Sequence, residues 1–132
     1  MNQDEIIKIV LGLKTWAVVG LGNNPERAAF GVSKLLQDKS HRIVPVYPRA
    51  EMVHGEVGYK TLSEIPFEID VVDCFVNSNL VSKLVDEAIA IGAKAVWLQL
   101  GVIDQEAVDR AKAAGLLTVM DRCPAIEYQK NG

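Results

Sequence analysis

The chain has 132 residues, of which 49% are apolar and 23% are charged, and its formal net charge is −3. This length suits one domain with an ordinary hydrophobic core. The acidic balance argues against a nucleic-acid-binding or membrane-surface protein, because such proteins usually present a basic face. No apolar run approaches membrane-spanning length, and the N-terminus lacks the basic start and apolar block of a secretory signal, so we expect a cytoplasmic protein.

Segments with helical and strand-like apolar spacing alternate along the chain. The strand-like runs are largely apolar on both faces, which is typical of a parallel sheet covered by helices. In chain order, the pattern predicts a helix at 3–11, a strand at 15–19, a helix at 28–39, a strand at 42–46, a strand at 71–76, a helix at 81–91, a strand at 95–100, a helix between Asp104 and Gly115, a strand at 116–120 and a polar tail. Residues 49–66 are irregular, with a short extended piece around 57–59.

This alternation predicts one α/β domain over residues 1–132, built as a doubly wound parallel sheet of five strands. With the strands numbered along the chain, we expect the order 3-2-1-4-5. Ligands of such sheets bind outside the carboxyl ends of the strands, where the winding reverses. In the expected order this point lies between the first and fourth strands, next to the loop that follows residue 19.

Two glycines in that loop, Gly20 and Gly22, connect the first strand to the next helix. Glycine permits positive φ and close backbone approach, and N–H groups at a helix start attract phosphate. Arg27 adds a positive charge, so the loop is predicted to bind a diphosphate. The alternative is that the glycines only permit a sharp connection. As a dinucleotide fingerprint the match is poor, because Pro25 occupies the place of the third glycine.

The loop after the second strand carries a guanidinium, at Arg49, where NAD-binding folds usually place a carboxylate. Arginine matches a phosphate monoester in a bidentate way. Arg49 therefore favours a ligand with a phosphate on its ribose, which is either NADP or coenzyme A (CoA) with its 3′-phosphate. The alternative is a solvated surface arginine.

Polar side chains in two later loops are further candidates. Asn77 can offer its amide to a ligand, although residues of this type also cap helices. Gln99 either orients a pantetheine amide or satisfies buried backbone groups.

The cysteines and histidines suggest no catalytic or metal site. No Ser-His-Asp or Cys-His-Asp set and no acid–base pair can be assembled, so we expect no catalytic residue. Cys74 is predicted to be a core residue with a free thiol. Cys123 is predicted to be an unreactive loop thiol, with a thiol of lowered pKa as the alternative. No metal-ligand spacing involves His41 or His54.

Four stretches together carry a family pattern: AVVGLGNNPER at 17–27, PVYPR at 45–49, AKAVWLQLGV at 93–102 and VMDRCP at 119–124. Through them the chain resembles the small stand-alone CoA-binding-domain proteins. These are Rossmann-like single domains, similar to the N-terminal CoA-binding domain of the succinyl-CoA synthetase alpha subunit. The resemblance runs from Thr15 to Glu127, and WLQLG and DRCP are its most specific parts.

The resemblance implies that the ligand is CoA or an acyl-CoA, bound at the carboxyl ends of the first two strands. It implies that the first loop holds the diphosphate, that the second flanks the adenosine and its 3′-phosphate, and that the third borders the nucleotide. With Gln99 added from the fourth loop, the predicted cofactor-binding residues are Gly20, Leu21, Gly22, Asn23, Arg27, Pro48, Arg49, Val76, Asn77 and Gln99.

We therefore predict a CoA-binding protein that performs no catalysis of its own. One alternative is a small NADP-dependent oxidoreductase. Another is a CoA-binding subunit of an acyl-CoA ligase, whose remaining parts would lie on other chains. A homodimer and a larger ligase-type partner are both compatible with the sequence.

Overall fold

Five parallel strands form the centre of the computed structural model, which describes residues 1–130. The strands are β1 Thr15–Val19, β2 Arg42–Val46, β3 Val71–Cys74, β4 Ala95–Leu98 and β5 Leu117–Val119. The helices are α1 Gln3–Leu11, α2 Ala28–Asp38, α3 Val81–Ala90, α4 Gln105–Ala113 and α5 Pro124–Lys130. Short 3-10 turns lie at Leu62–Glu64 and Ser78–Leu80. The predicted α/β fold with a parallel five-stranded sheet is confirmed.

The strands lie in the order β2-β1-β3-β4-β5, so the predicted order 3-2-1-4-5 is wrong. Pro45 in β2 supplies the physical reason. On the outer side of β2, the Pro45 carbonyl accepts a hydrogen bond from the Tyr59 N–H at 2.9 Å, but proline has no N–H to donate to a further strand. β2 therefore suits the edge of the sheet, and the chain crosses back over β1 to form β3.

The winding of the sheet consequently reverses between β1 and β3, and not between the first and fourth strands. Both strands are in register, with Val18 of β1 opposite Asp73 of β3. In an open parallel sheet this reversal opens a crevice outside the carboxyl ends of the strands. The loop after β1, which begins at Gly20, lies at this corrected switch point.

Helices cover both faces of the sheet, because alternate residues of each strand point to opposite sides. Along β1, Ala17 and Val19 face the core under α3 and α4, whereas Trp16 and Val18 face the core under α1 and α2. Trp16 and Trp97 are fully buried on the second face, with ring centroids 5.6 Å apart. None of the helices within residues 1–130 has both the length and the apolar character that crossing a bilayer requires.

Three strands end earlier than predicted, at Cys74, Leu98 and Val119. Residues after these points belong to loops at the carboxyl edge, although the Phe75 N–H still donates to the Val19 carbonyl at 2.9 Å. The helix starts agree better with the sequence. Asp104 caps α4 as expected, since its side chain accepts a hydrogen bond from the Ala107 N–H at 3.0 Å.

The predicted polar tail is wrong, because α5 occupies this part of the chain. Tyr128 docks the helix onto the amino-terminal side of the molecule. Its hydroxyl lies between the His41 Nε2 and the Leu11 carbonyl oxygen, which is 3.1 Å away. Burial lowers the pKa of His41. The neutral imidazole donates its Nδ1–H to the Leu13 carbonyl at 2.7 Å, which leaves Nε2 to accept from Tyr128.

Tyr128→Phe is expected to lower the free energy of unfolding by about 1 kcal/mol, because the hydrogen bond that the hydroxyl donates is lost while the ring packing stays. Urea unfolding followed by tryptophan fluorescence measures this change. Tyr59→Phe is the matched control, since the Tyr59 ring packs on Phe67 and its hydroxyl has no protein partner within residues 1–130. Equal stability of the two variants would contradict the assigned role of Tyr128.

Candidate functional site

A cavity of about 770 Å³ lies at the carboxyl ends of β1, β2, β3 and β4. The start of α2 and one side of α3 complete its wall. A smaller recess of about 350 Å³ adjoins it, and both are lined by Gly20, Arg27 and Tyr47. The crevice predicted from the topology of parallel sheets is therefore present, at the corrected position between β1 and β3.

The structure brings nearly all of the predicted ligand residues to these two spaces. The larger cavity is lined by Gly20, Arg27, Pro48, Val76, Asn77 and Gln99. The smaller recess is lined by Gly20, Gly22, Asn23, Arg27 and Arg49. Leu21 is the exception, because it is fully buried in the hydrophobic core beneath α1 and α2. The ligand contacts of these residues stay predictions.

Gly20 is required by the close approach of β1 and β3. Its φ is +98°, and a Cβ at this position would lie 2.2 Å from the Phe75 carbonyl oxygen. Its N–H donates to the Val46 carbonyl at 2.8 Å. The fold alone thus accounts for this glycine. Gly22 differs, because a Cβ there would approach only the Glu51 carboxylate, at 3.0 Å, and the Tyr47 ring, at 3.4 Å.

The start of α2 is open toward the larger cavity. Arg27 is the N-cap residue, and no side chain caps the helix by a hydrogen bond. Ala28 and Ala29, the first two residues of the helix, line the cavity. The free N–H groups and the positive end of the helix dipole suit an anion at this place.

Four exposed cations border the two spaces: Arg27, Arg49, Lys60 and Lys83. Within residues 1–130, none of them forms an ion pair with a carboxylate. Glu51 and Glu87 are the acidic residues in the walls. The sequence did not indicate Lys60, whose position depends on the pairing of Tyr59 with β2, or Lys83, whose position on α3 requires the correct strand order.

A carboxyl group is buried in β3 next to the cavity wall. Asp73 is fully buried, and its Oδ1 accepts a hydrogen bond from the Gln99 Nε2 at 2.5 Å. Its Oδ2 has no hydrogen-bond partner within residues 1–130. Burial raises the pKa of Asp73 to about 8, so the group is mainly protonated at neutral pH. The sequence carries a signal for this residue, because an aspartate inside the apolar run 71–76 is unusual.

The two cysteines differ in their surroundings. Cys74 is buried in the core as predicted, and burial raises the pKa of its thiol. Cys123 is partly exposed and lines the larger cavity. Within the described part of the chain, no three side chains of the His, Cys, Asp and Glu types converge as a metal ion would require.

A parallel sheet in the order 2-1-3-4-5, with helices on both faces and a glycine-containing loop at the switch point, defines a Rossmann-like α/β domain. The model of the CoA-binding domain family matches residues 14–129. The chain therefore belongs to the CoA-binding domain family, which confirms the resemblance noted in the sequence.

Several known proteins are similar to this chain. The uncharacterized protein YneT of Bacillus subtilis (strain 168) is 34% identical over 127 residues, which cover 96% of this chain and 94% of that protein. The solved structure of a hypothetical protein from Pyrococcus horikoshii OT3 is 38% identical, with a TM-score of 0.92, and the match covers 98% and 92% of the two chains.

A ligase subunit is also related. The alpha subunit of the ADP-forming acetate–CoA ligase II of Pyrococcus furiosus is 33% identical over 81 residues. This match covers 61% of the present chain and only 18% of the ligase subunit. The chain thus corresponds to a small part of that larger protein.

Proposed function

We propose that this protein binds CoA or an acyl-CoA in the cavity at the carboxyl edge of the sheet and performs no catalysis of its own. Membership of the CoA-binding domain family supports the ligand class. The observation that carries the proposal is the wall itself: Arg27, Lys60 and Lys83 line the same cavity as the uncapped start of α2, and Arg49 lines the adjoining recess. None of these four cations forms an ion pair with a carboxylate within residues 1–130. Phosphates are the groups that such a wall binds best.

Different loops bind different parts of the ligand. The diphosphate lies against the loop at 20–23 and the start of α2, close to Arg27. Pro48 flanks the adenosine, Arg49 pairs with the 3′-phosphate, and the residues at 76–77 border the nucleotide. Arg49 lines the smaller recess beside the glycine loop, so the diphosphate and the 3′-phosphate occupy adjoining spaces.

Arg49→Ala is expected to remove the preference for CoA over dephospho-CoA. In the wild type this preference should be about 1.5–3 kcal/mol, the range for charge-assisted hydrogen bonds, which corresponds to roughly 13- to 160-fold in affinity. Calorimetric titration with CoA, dephospho-CoA, NADP and NAD measures it. We expect CoA to bind best, then dephospho-CoA, with the nicotinamide cofactors weakest.

Arg122→Ala is the matched control, because Arg122 is exposed and lines neither space. It should keep the full preference for CoA. If Arg49→Ala keeps it as well, Arg49 does not contact the 3′-phosphate. If NADP binds more tightly than CoA, the proposal is wrong and the protein is better described as a small NADP-dependent oxidoreductase.

A second candidate function is that of a CoA-binding subunit in an acyl-CoA ligase. The similarity to the acetate–CoA ligase alpha subunit, 33% identical over 81 residues, favours it. This candidate requires a further chain for nucleotide-dependent chemistry. Co-purification of an ATP-binding subunit with the tagged protein would support it. Purified alone, the protein is expected to leave acetyl-CoA intact in a chromatographic assay.

A further inference from the structure

Gln99 is the polar side chain that directly follows β4 at the cavity wall. It is only 5% exposed, and it lines the cavity next to the apolar side chains of Leu100 and Val102. One end of its amide, Nε2, donates to Asp73 at 2.5 Å. Within residues 1–130, no group hydrogen-bonds to the other end. The side chain therefore combines a fixed inner contact with an unused polar end.

Asp73 is well placed to hold this amide in one orientation. It lies in the middle of the sheet, in register with Val18 on one side and Trp97 on the other, so its backbone cannot shift without disturbing both neighbours. Gln99 is its one side-chain partner among the described residues. Burying a carboxyl group in such surroundings is costly, and an apolar residue would fill the position more cheaply.

We propose that Asp73 is a positioning residue for ligand binding: it fixes the Gln99 side chain so that the free end of its amide pairs with an amide of the pantetheine arm. The inference rests on the proposed binding of CoA. Pantetheine is an apolar chain interrupted by amides, each with one N–H and one carbonyl. The apolar wall around Gln99 matches the chain, and a single oriented amide matches one of its polar groups.

The experiment compares two ligands that differ only in the arm. CoA contains pantetheine, and adenosine 3′-phosphate 5′-diphosphate is the nucleotide portion without it. In calorimetric titrations, Gln99→Met should weaken CoA binding by about 3- to 10-fold, the loss expected for one neutral hydrogen bond, and leave the affinity for the nucleotide portion unchanged. Gln105→Met, the same change on exposed α4, should affect neither ligand.

Substitutions of Asp73 separate positioning from simple packing. Asp73→Val should reproduce the selective loss for CoA, because Gln99 then has no partner that fixes its orientation. Asp73→Asn should bind CoA as the wild type does, since the neutral amide can still accept a hydrogen bond from Gln99. Equal loss of both ligands in Asp73→Val would show a general structural role and overturn the inference, as would unchanged binding of CoA.

A measurement on the wild type keeps the inference testable if these variants do not fold. The side-chain NH₂ signals of Gln99 in a ¹⁵N NMR spectrum should shift when CoA is added and stay in place when the nucleotide portion is added. Identical responses to both ligands would overturn the inference and leave CoA binding standing. Binding of neither ligand would instead overturn the proposed function.

Discussion

Asp73→Asn is expected to become more stable than the wild type by a growing margin as the pH rises from about 4 to 8. Burial raises the pKa of Asp73 from 3.8 to about 8 in the folded state. Between these values the folded protein keeps a proton that the unfolded chain has lost, so the wild type loses stability with rising pH. The slope approaches about 1.4 kcal/mol per pH unit, and asparagine removes it because it does not titrate.

Urea unfolding of both proteins at several pH values between 4 and 9 measures the margin. All other titrating groups are common to the two proteins, so the difference isolates Asp73. It should level off above the folded pKa, where both states of the wild type are ionised. A carboxyl ¹³C NMR titration gives the pKa of Asp73 directly. A margin that is the same at pH 5 and pH 8 would show that the carboxyl is not desolvated as the structure indicates.

This loss of stability is large, so the presence of a buried carboxyl group in β3 calls for a functional explanation. A margin of a few kcal/mol is a large share of the 5–15 kcal/mol that typically stabilises a domain. The pH dependence of the stability of Asp73→Asn measures what the carboxyl group costs in folding free energy. The selective loss of CoA binding in Asp73→Val measures what the residue contributes to the site.

The elements of the fold were predictable because local patterns determine them. Largely apolar strand-like runs located all five strands, and Asp104 located the start of α4. The order of the strands was not predictable in the same way. Parallel strands carry the same apolar pattern wherever they lie in the sheet, so the periodicity does not say which strands are neighbours. Pro45 is the residue that bears on the order, because its missing N–H favours an edge position for β2.

Helix α5 was missed for a related reason. It has only seven residues, and its stability depends on the docking of Tyr128 against His41, which is 87 residues away in the sequence. Short helices have little stability of their own, so their local signal is weak. Only the three-dimensional structure reveals the partner that makes this segment helical.

The loops of the candidate site were predictable because the carboxyl ends of parallel strands share one edge of the sheet. This rule holds for both the expected and the observed order, which is why the error in order left the loops of the site in place. It does not extend to individual side chains. Leu21 points into the core, and Lys60 and Lys83 reach the cavity through contacts between distant segments.

Gly20→Ala is expected to destabilise the protein by about 3–5 kcal/mol. Its φ of +98° is a conformation that residues with a side chain rarely adopt. In addition, the new Cβ would lie 2.2 Å from the Phe75 carbonyl oxygen, so β1 and β3 would have to separate at their carboxyl ends. Both strands are central in the sheet, and neither can move independently of its neighbours.

Gly31→Ala is the matched control, because it makes the same change at a position where a Cβ meets no atom of residues 1–130 within 4 Å. In the interior of α2 it should stabilise the protein by about 0.5–1 kcal/mol, since alanine favours the helix more than glycine does. Thermal and urea unfolding of the two variants should therefore give changes of opposite sign. If Gly20→Ala is as stable as the wild type, β1 and β3 do not approach as closely as described. The cavity at their carboxyl ends would then have a different shape, because the Gly20–Phe75 contact sets the width of the switch point from which the site opens.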